Sequence, residues 1–335
     1  MKNKLKLFLL ILLIPLNISF AYSDKIIPGG NTIGITVNSK GLMIVGFYKV
    51  GNNYNKGDPE LKIGDYITKV NDNIVSKVED FTNNISNTNK SDNIKISFVR
   101  NNKEYETTID LIEIDGTYKT GLYVKDSVTG IGTLSYIDPE NNIFGALGHE
   151  IIESSSNNIV SINNGSIYKN IITSIEKSRD GSPGSKNAKF YENIKYGDIY
   201  KNSKYGIYGD ITNFNIDNND ALPIKKIGEI NLGKAYIRTV INKDVIKEYE
   251  IEITNINKSN KLKSISFKVT DKELLDKTGG IVQGMSGSPI IQDGYLIGVV
   301  THVLIDDVTS GYAVSIVTML DEGDKLYEKI NDVNH

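Results

Sequence analysis

The chain has 335 residues, is 39% hydrophobic, carries a formal net charge of -3 and contains no cysteine. That length accommodates two domains, and the interspersed Lys and Asp/Glu offer no basic surface for nucleic acid. Without cysteine, disulfides, thiol catalysis and Cys-ligated metal sites are excluded, so an extracytoplasmic chain must rely on its core alone.

Lys2, Lys4 and Lys6 precede an apolar run, Leu7 to Leu16, and then Ser19-Phe20-Ala21. A basic start, an apolar stretch and small residues at the cleavage positions form the order of a signal peptide. Cleavage after Ala21 is the first expectation. The alternative is a retained membrane anchor over residues 5–21, although the apolar run is shorter than the ~20 residues of a regular span. Both versions predict export across the cytoplasmic membrane. Residues 22–27 read as a linker.

Residues 28–115 read as a small α+β module. Ile33 to Val37 and Leu42 to Tyr48 are β-branched runs separated by Asn38-Ser39-Lys40-Gly41, a turn signal. Tyr66 to Val70 alternates as a strand after Gly64-Asp65. Val78, Phe81 and Ile85 fall at helical spacing, and Ile94 to Val99 turns through Asn101-Asn102 into Tyr105 to Ile112. The run Leu61-x-x-Gly64-Asp65-x-Ile67-x-x-Val70-Asn71 resembles a PDZ domain of the bacterial, circularly permuted kind. In such domains an apolar-Gly-apolar loop offers N–H groups to a peptide's terminal carboxylate, and the peptide adds as a strand. The resemblance assigns that role to Thr32, Ile33, Gly34 and Ile35. The alternative is that Gly34 only permits a tight turn.

Residues 116–335 read as mostly β, with short strands between Gly, Asn and Asp turns. Gly132 to Tyr136 and Ile143 to Leu147 flank a hairpin turn at Asp138 to Asn142. Ala235 to Ile241, Tyr249 to Ile253 and Ser264 to Val269 continue the pattern, with helices expected at Lys272 to Lys277 and Val317 to Ile330.

A serine nucleophile needs a sharp turn, a neighbouring base and N–H donors for the oxyanion. Gly284-Met285-Ser286-Gly287-Ser288-Pro289 matches the Gly-x-Ser-Gly-x-Pro pattern of chymotrypsin-like peptidases, which implies Ser286 as nucleophile and the Gly284 and Ser286 N–H groups as oxyanion hole. The expected fold is thus mainly β, a PDZ domain followed by a chymotrypsin-like double β-barrel. Of the three histidines, His335 is terminal and His302 lies on the strand after the nucleophile loop. His149 precedes Ser286 in the base-then-nucleophile order and is the expected general base. His149-Glu150-Ile151-Ile152-Glu153 begins like a zinc-peptidase motif, but Glu153 stands where the second histidine belongs. No metal and no organic cofactor are expected.

The run Thr278 to Ile290, with Gly145-Ala146-Leu147-Gly148-His149, Gly181-Ser182-Pro183-Gly184-Ser185-Lys186 and Thr309-Ser310-Gly311-Tyr312, resembles the stage IV sporulation protein B peptidases. That resemblance maps the triad acid onto Asp271. Thr270 and Glu273 also form a capping-box pattern, which gives Asp271 a structural reading in a helix's first turn. Asp198 and Asp210 are further candidates. The resemblance implies an exported or anchored endopeptidase of endospore formers, working between the two forespore membranes. It implies a membrane-bound regulator and the enzyme's own N-terminal segment as protein substrates. The rival readings are a quality-control PDZ protease and a catalytically silent scaffold that binds peptide tails.

Overall fold

The computed structural model describes residues 22–88, 93–215 and 217–333. The signal or anchor segment expected over residues 1–21 lies outside them.

The C-terminal half follows its alternation directly. Strands β11 (Gly233–Asn242), β12 (Val245–Ile256), β13 (Ile265–Val269), β14 (Pro289–Gln292), β15 (Tyr295–Leu304) and β16 (Asp307–Ser315) close into a six-stranded barrel. Ile237, Ile251, Phe267 and Val300 point inward and are fully buried, as period-two patterning requires. Helix α2 (Lys272–Thr278) follows β13, and helix α3 (Ile316–Val333) follows β16.

The other barrel is assembled from two separated stretches of chain. β1 (Lys25–Pro28) and β2 (Thr32–Phe47) come first. β6 (Leu122–Asp138), β7 (Ile143–Ala146), β8 (Ile162–Glu176), β9 (Ser185–Ser203) and β10 (Gly206–Ile211) come later. Pairing runs β6–β7–β10–β9–β8–β2 and closes through β2 with β6. Ile33, Ile35 and Val37 of β2 pack inside this barrel with Leu134, Phe144 and Ile167. The expected hairpin turn of Asp138 to Asn142 joins β6 to β7, with Asp138 opposite Ile143.

Between β2 and β6 lies the α+β module: β3 (Tyr66–Val70), helix α1 (Val78–Ser86), β4 (Asn93–Arg100) and β5 (Lys103–Asp110). Phe81 and Ile85 of α1 join Leu42, Ile67, Ile96 and Phe98 in a separate core. The Gly64-Asp65 turn is locked by Arg100, which donates to Asp65 from Nε at 2.7 Å and Nη2 at 2.6 Å.

Two sequence expectations change here. The Asn38 to Gly41 segment does not reverse the chain. β2 continues through it as one strand, bulged against β6 and held by the Lys40 N–H to Ser161 carbonyl bond at 3.0 Å and by pairing of Ser39 with Ile162. The first half of β2 therefore leaves the module and serves the barrel, and the module lies between β2 and β6. Residues 22–27 are likewise no linker. β1 pairs with β6, Ile26 is fully buried, and the Ser23 N–H and hydroxyl both donate to Asp138. Ile26 packs with Ile316, Met319 and Leu320 of α3, which also cover Tyr136 and Tyr208 of the first barrel and Val299 of the second. Helix α3 is thus a clasp across both barrels, fastened further by Lys201 to Glu322 at 2.7 Å.

Candidate active site

Ser286 sits on the turn before β14, at the seam between the barrels. Gly284 and Gly287 have φ of +92° and +98°, backbone that L side chains avoid. A Cβ at Gly287 would also lie 2.1 Å from the Thr133 carbonyl oxygen. The turn is tied to the first barrel by Thr133, whose N–H donates to the Ser286 carbonyl (3.0 Å) and whose hydroxyl donates to the Gly284 carbonyl (2.8 Å).

These bonds orient the expected oxyanion donors. The Gln283 carbonyl accepts from the Lys186 N–H at 3.0 Å. Because a trans peptide places C=O and N–H on opposite sides, the Gly284 N–H points away from Lys186. Neither the Gly284 nor the Ser286 N–H has an acceptor among the described residues. Two free donors two residues apart beside a serine hydroxyl are what a tetrahedral oxyanion requires.

His149 follows β7 after Leu147 and Gly148, both at φ +71°. Positive φ is costly for leucine, and it turns the chain so that the imidazole enters the seam. His149 and Ser286 line one cavity of about 300 Å³ with Ile35, Val128, Ile131 and Leu147. The Nδ1 atom of His149 lies 2.8 Å from the Glu150 carbonyl oxygen. A carbonyl only accepts, so Nδ1 carries the proton and Nε2 keeps a free lone pair. Burial holds the His149 pKa below its ordinary value, so the ring is neutral near pH 7. The Ser286 hydroxyl donates to the Thr301 carbonyl at 3.0 Å. No hydrogen bond joins that hydroxyl to His149 among the described residues. The His302 ring lies 5.5 Å from that of His149, and its pKa is lowered by burial and then by His149.

The structure does not bring Asp271 to His149. Asp271 is the N-cap of α2, one residue later than the capping-box pattern suggested. Its Oδ1 accepts from the Leu274 N–H at 2.9 Å and its Oδ2 from the Glu250 N–H at 3.4 Å. One oxygen caps the helix and the other bonds strand β12, so neither serves His149, which is a correction to the triad expectation. Asp198 and Asp210 face each other across β9 and β10 and are also apart from His149. Asp198 bonds Lys195 and Ser166. The position of the acid is taken by a backbone carbonyl, which no residue-type motif can reveal. Glu153, compared above with a zinc ligand, accepts the Ser155 and Ser156 N–H groups in a turn.

The expected PDZ carboxylate loop is also corrected. Thr32, Ile33, Gly34 and Ile35 lie within β2, paired with β6 on one edge and, from Ile33 on, with β8 on the other. Their backbone is committed to the barrel, so no N–H row faces a peptide.

Sequence reasoning missed Lys186. It is 3% exposed, its stem packs against Gly284, and its Nζ donates to Thr239 Oγ1 at 3.0 Å. Ser288 also donates to Thr239 at 3.0 Å. No carboxylate pairs with the amine among the described residues, and burial lowers its pKa to about 7. Only the tertiary fold places this lysine beneath the nucleophile turn.

The family model described as SpoIVB peptidase S55 matches residues 116–320, and a PDZ model matches 32–111. No curated protein matches the chain at significant similarity. Among solved structures, the Rv3671c protease of M. tuberculosis in its active form is 12% identical, covering 59% of this chain and 74% of its own, with a TM-score of 0.32. Its inactive form is 13% identical over 58% and 83%, also at 0.32. The PDZ domain of an SdrC-like protein from Listeria monocytogenes is 24% identical over 25% and 87%, at 0.22.

Proposed function

Since the chain belongs to the SpoIVB peptidase S55 family and is a PDZ serine peptidase, we propose that it is an exported signalling endopeptidase that cuts a membrane-bound regulator during endospore formation. The observation that carries the chemistry is the joint placement of Ser286, a neutral His149 and two unpaired N–H donors around one cavity. Ser286 attacks the scissile carbonyl as His149 Nε2 takes its proton. The oxyanion is received by the Gly284 and Ser286 N–H groups. His149 then protonates the leaving amine, and water hydrolyses the acyl-enzyme. The basic-apolar-small order of residues 1–21 supports export, with or without a retained anchor.

The test pairs a fluorophosphonate probe with co-expression of candidate membrane regulators. The wild type should label at Ser286 and shorten one regulator. Ser286→Ala should do neither, with activity down by roughly 10^4 or more. A folded wild type that never labels, yet still binds peptides, would establish the scaffold reading instead.

A further inference from the structure

β6 runs from the PDZ module to the nucleophile turn. From Leu122 to Thr133 one of its edges pairs with β2. The other edge pairs with β7 only from Leu134 onward, and no strand covers it from Leu122 to Gly132 among the described residues. The register shift between Lys125 and Ser127 is absorbed by extra residues of β2, because Lys125 faces Met43 while Ser127 faces Asn38. The open edge of β6 is therefore continuous.

What stands along this edge changes with position. At its start, Leu122 is buried in the PDZ core and Val124 packs on that core, as does helix α1. The Val78 N–H at the start of α1 donates to the Asp126 carboxylate at 3.1 Å. In the middle, Val128 to Ile131 line the cavity that holds His149 and Ser286, and Thr129 and Gly130 are exposed. At the end, Thr133 grips the nucleophile turn by two hydrogen bonds. An uncovered edge is a template for another strand. Here the template begins beside the PDZ helix and finishes at the catalytic serine.

We propose that the substrate itself covers this edge: the segment downstream of the scissile bond adds to β6 as an antiparallel strand, so the PDZ module and the active site read one continuous stretch of polypeptide. The direction follows from the strand. β6 runs from the module to the cleft, so an antiparallel partner, the more stable arrangement, runs from the cleft to the module. Its C-terminal side then reaches α1. At ~3.3 Å per residue the track from Gly132 back to Leu122 takes roughly ten residues. The recognition chemistry is main-chain hydrogen bonding, with apolar side chains packing near the cleft beside Val128 and Ile131, which lie on opposite faces of β6. This assigns the module's peptide contact to Leu122–Asp126 in place of Ile33-Gly34-Ile35, and it rests on peptide hydrolysis at Ser286.

The test uses the full chain and one peptide whose cut bond has been located by mass spectrometry in a digested random library. The peptide is lengthened from two to ten residues on its downstream side, or by the same number upstream. kcat/KM should rise about 10-fold or more with downstream length and little with upstream length beyond the first few residues. N-methylation of alternate downstream amides should erase that gain. Binding of the same series, labelled with fluorescein, to Ser286→Ala should tighten in parallel, and amide exchange over Leu122–Gly132 should slow. A series flat beyond two or three downstream residues, or N-methylated peptides as good as their parents, overturns the proposal. If no library peptide is cut and Ser286 takes no fluorophosphonate, the peptidase reading fails. The binding series, run on the library's tightest-binding peptide, then still decides the track, with affinity rising with length supporting it and flat affinity overturning it.

Discussion

Ser286 and His149 occupy the seam without yet sharing a proton path, because the serine hydroxyl is parked on the Thr301 carbonyl. His149 is already in the tautomer a base needs. Its pKa is lowered by burial, so the neutral ring persists below the ordinary value near 6.5. As pH falls, activity should be lost only on passing that depressed value. The acid limb of a kcat/KM profile should therefore have its midpoint below about 6.5, and a midpoint above 7 would contradict the burial argument. Asp271 should behave as a cap: Asp271→Asn should keep turnover within about 10-fold, because Asn caps as well as Asp, whereas Asp271→Ala should lose about 1 kcal/mol of stability. A loss near 10^4 in a folded Asp271→Asn chain would restore it as the His149 partner. Lys186 has the opposite balance. Its folded pKa of about 7 lies far below the unfolded value near 10.4, so between these values the unfolded chain binds the extra proton and stability rises with pH. Lys186→Met should flatten that rise, be more stable than wild type at pH 7 by about 2 kcal/mol or more, and lower kcat if the buried amine supports the oxyanion turn. Denaturant titrations at pH 7 and 9.5, beside kcat and KM, separate the two effects.

Among the elements, those whose alternation reports burial were legible: β11, β12 and β13 of the second barrel, helix α1 and the hairpin from β6 to β7 match their patterns. β2 misled because one apolar, β-branched run suits a barrel interior as well as a PDZ strand. Nothing local tells Ile33-Gly34-Ile35 that its partners will be β6 and β8, at least 80 residues away in sequence. The Asn38 to Gly41 turn signal failed for a related reason. Long-range bonds from Ser161 and Asp126 hold that segment extended. Where recognition was local it succeeded, and the Gly64-Asp65 motif folds into the turn locked by Arg100. Asp65 is 1% exposed and accepts both Arg100 bonds and the Lys62 N–H at 2.7 Å. Asp65→Ala should destabilise the PDZ core by about 3 kcal/mol, read as lost amide protection over Ile94–Phe98, while fluorophosphonate labelling of Ser286 persists. Equal loss of protection in both barrels would show instead that the inserted module and the barrel fold as one unit.

At the scale of the molecule, the insertion of the module between β2 and β6 makes the N-terminal stretch a structural part of the enzyme. The sequence reading made residues 22–27 a linker, and the family resemblance made the enzyme's own N-terminal segment a substrate. In the fold, Lys25 and Ile26 pair with Pro223 and Leu222, Ile27 and Pro28 pair with Ile137 and Tyr136, Gly29 and Gly30 donate to the Ser135 and Leu134 carbonyls, and Ile26 lies beneath α3. Cutting any bond from Asp24 to Asn31 would require stripping β1 from β6 and uncovering the face shared by both barrels. Self-cleavage, which the family resemblance implies, should therefore fall before Ser23, where the chain leaves its anchoring contact with Asp138. N-terminal sequencing of the mature wild type, beside Ser286→Ala in a host without any wild-type copy, tests this. The expected result is a new terminus at Tyr22 or Ser23 that depends on Ser286. A serine-dependent terminus between Lys25 and Ile33 would mean that β1 detaches before cleavage. Shortening of Ser286→Ala at the same site and rate would assign the cut to another protease.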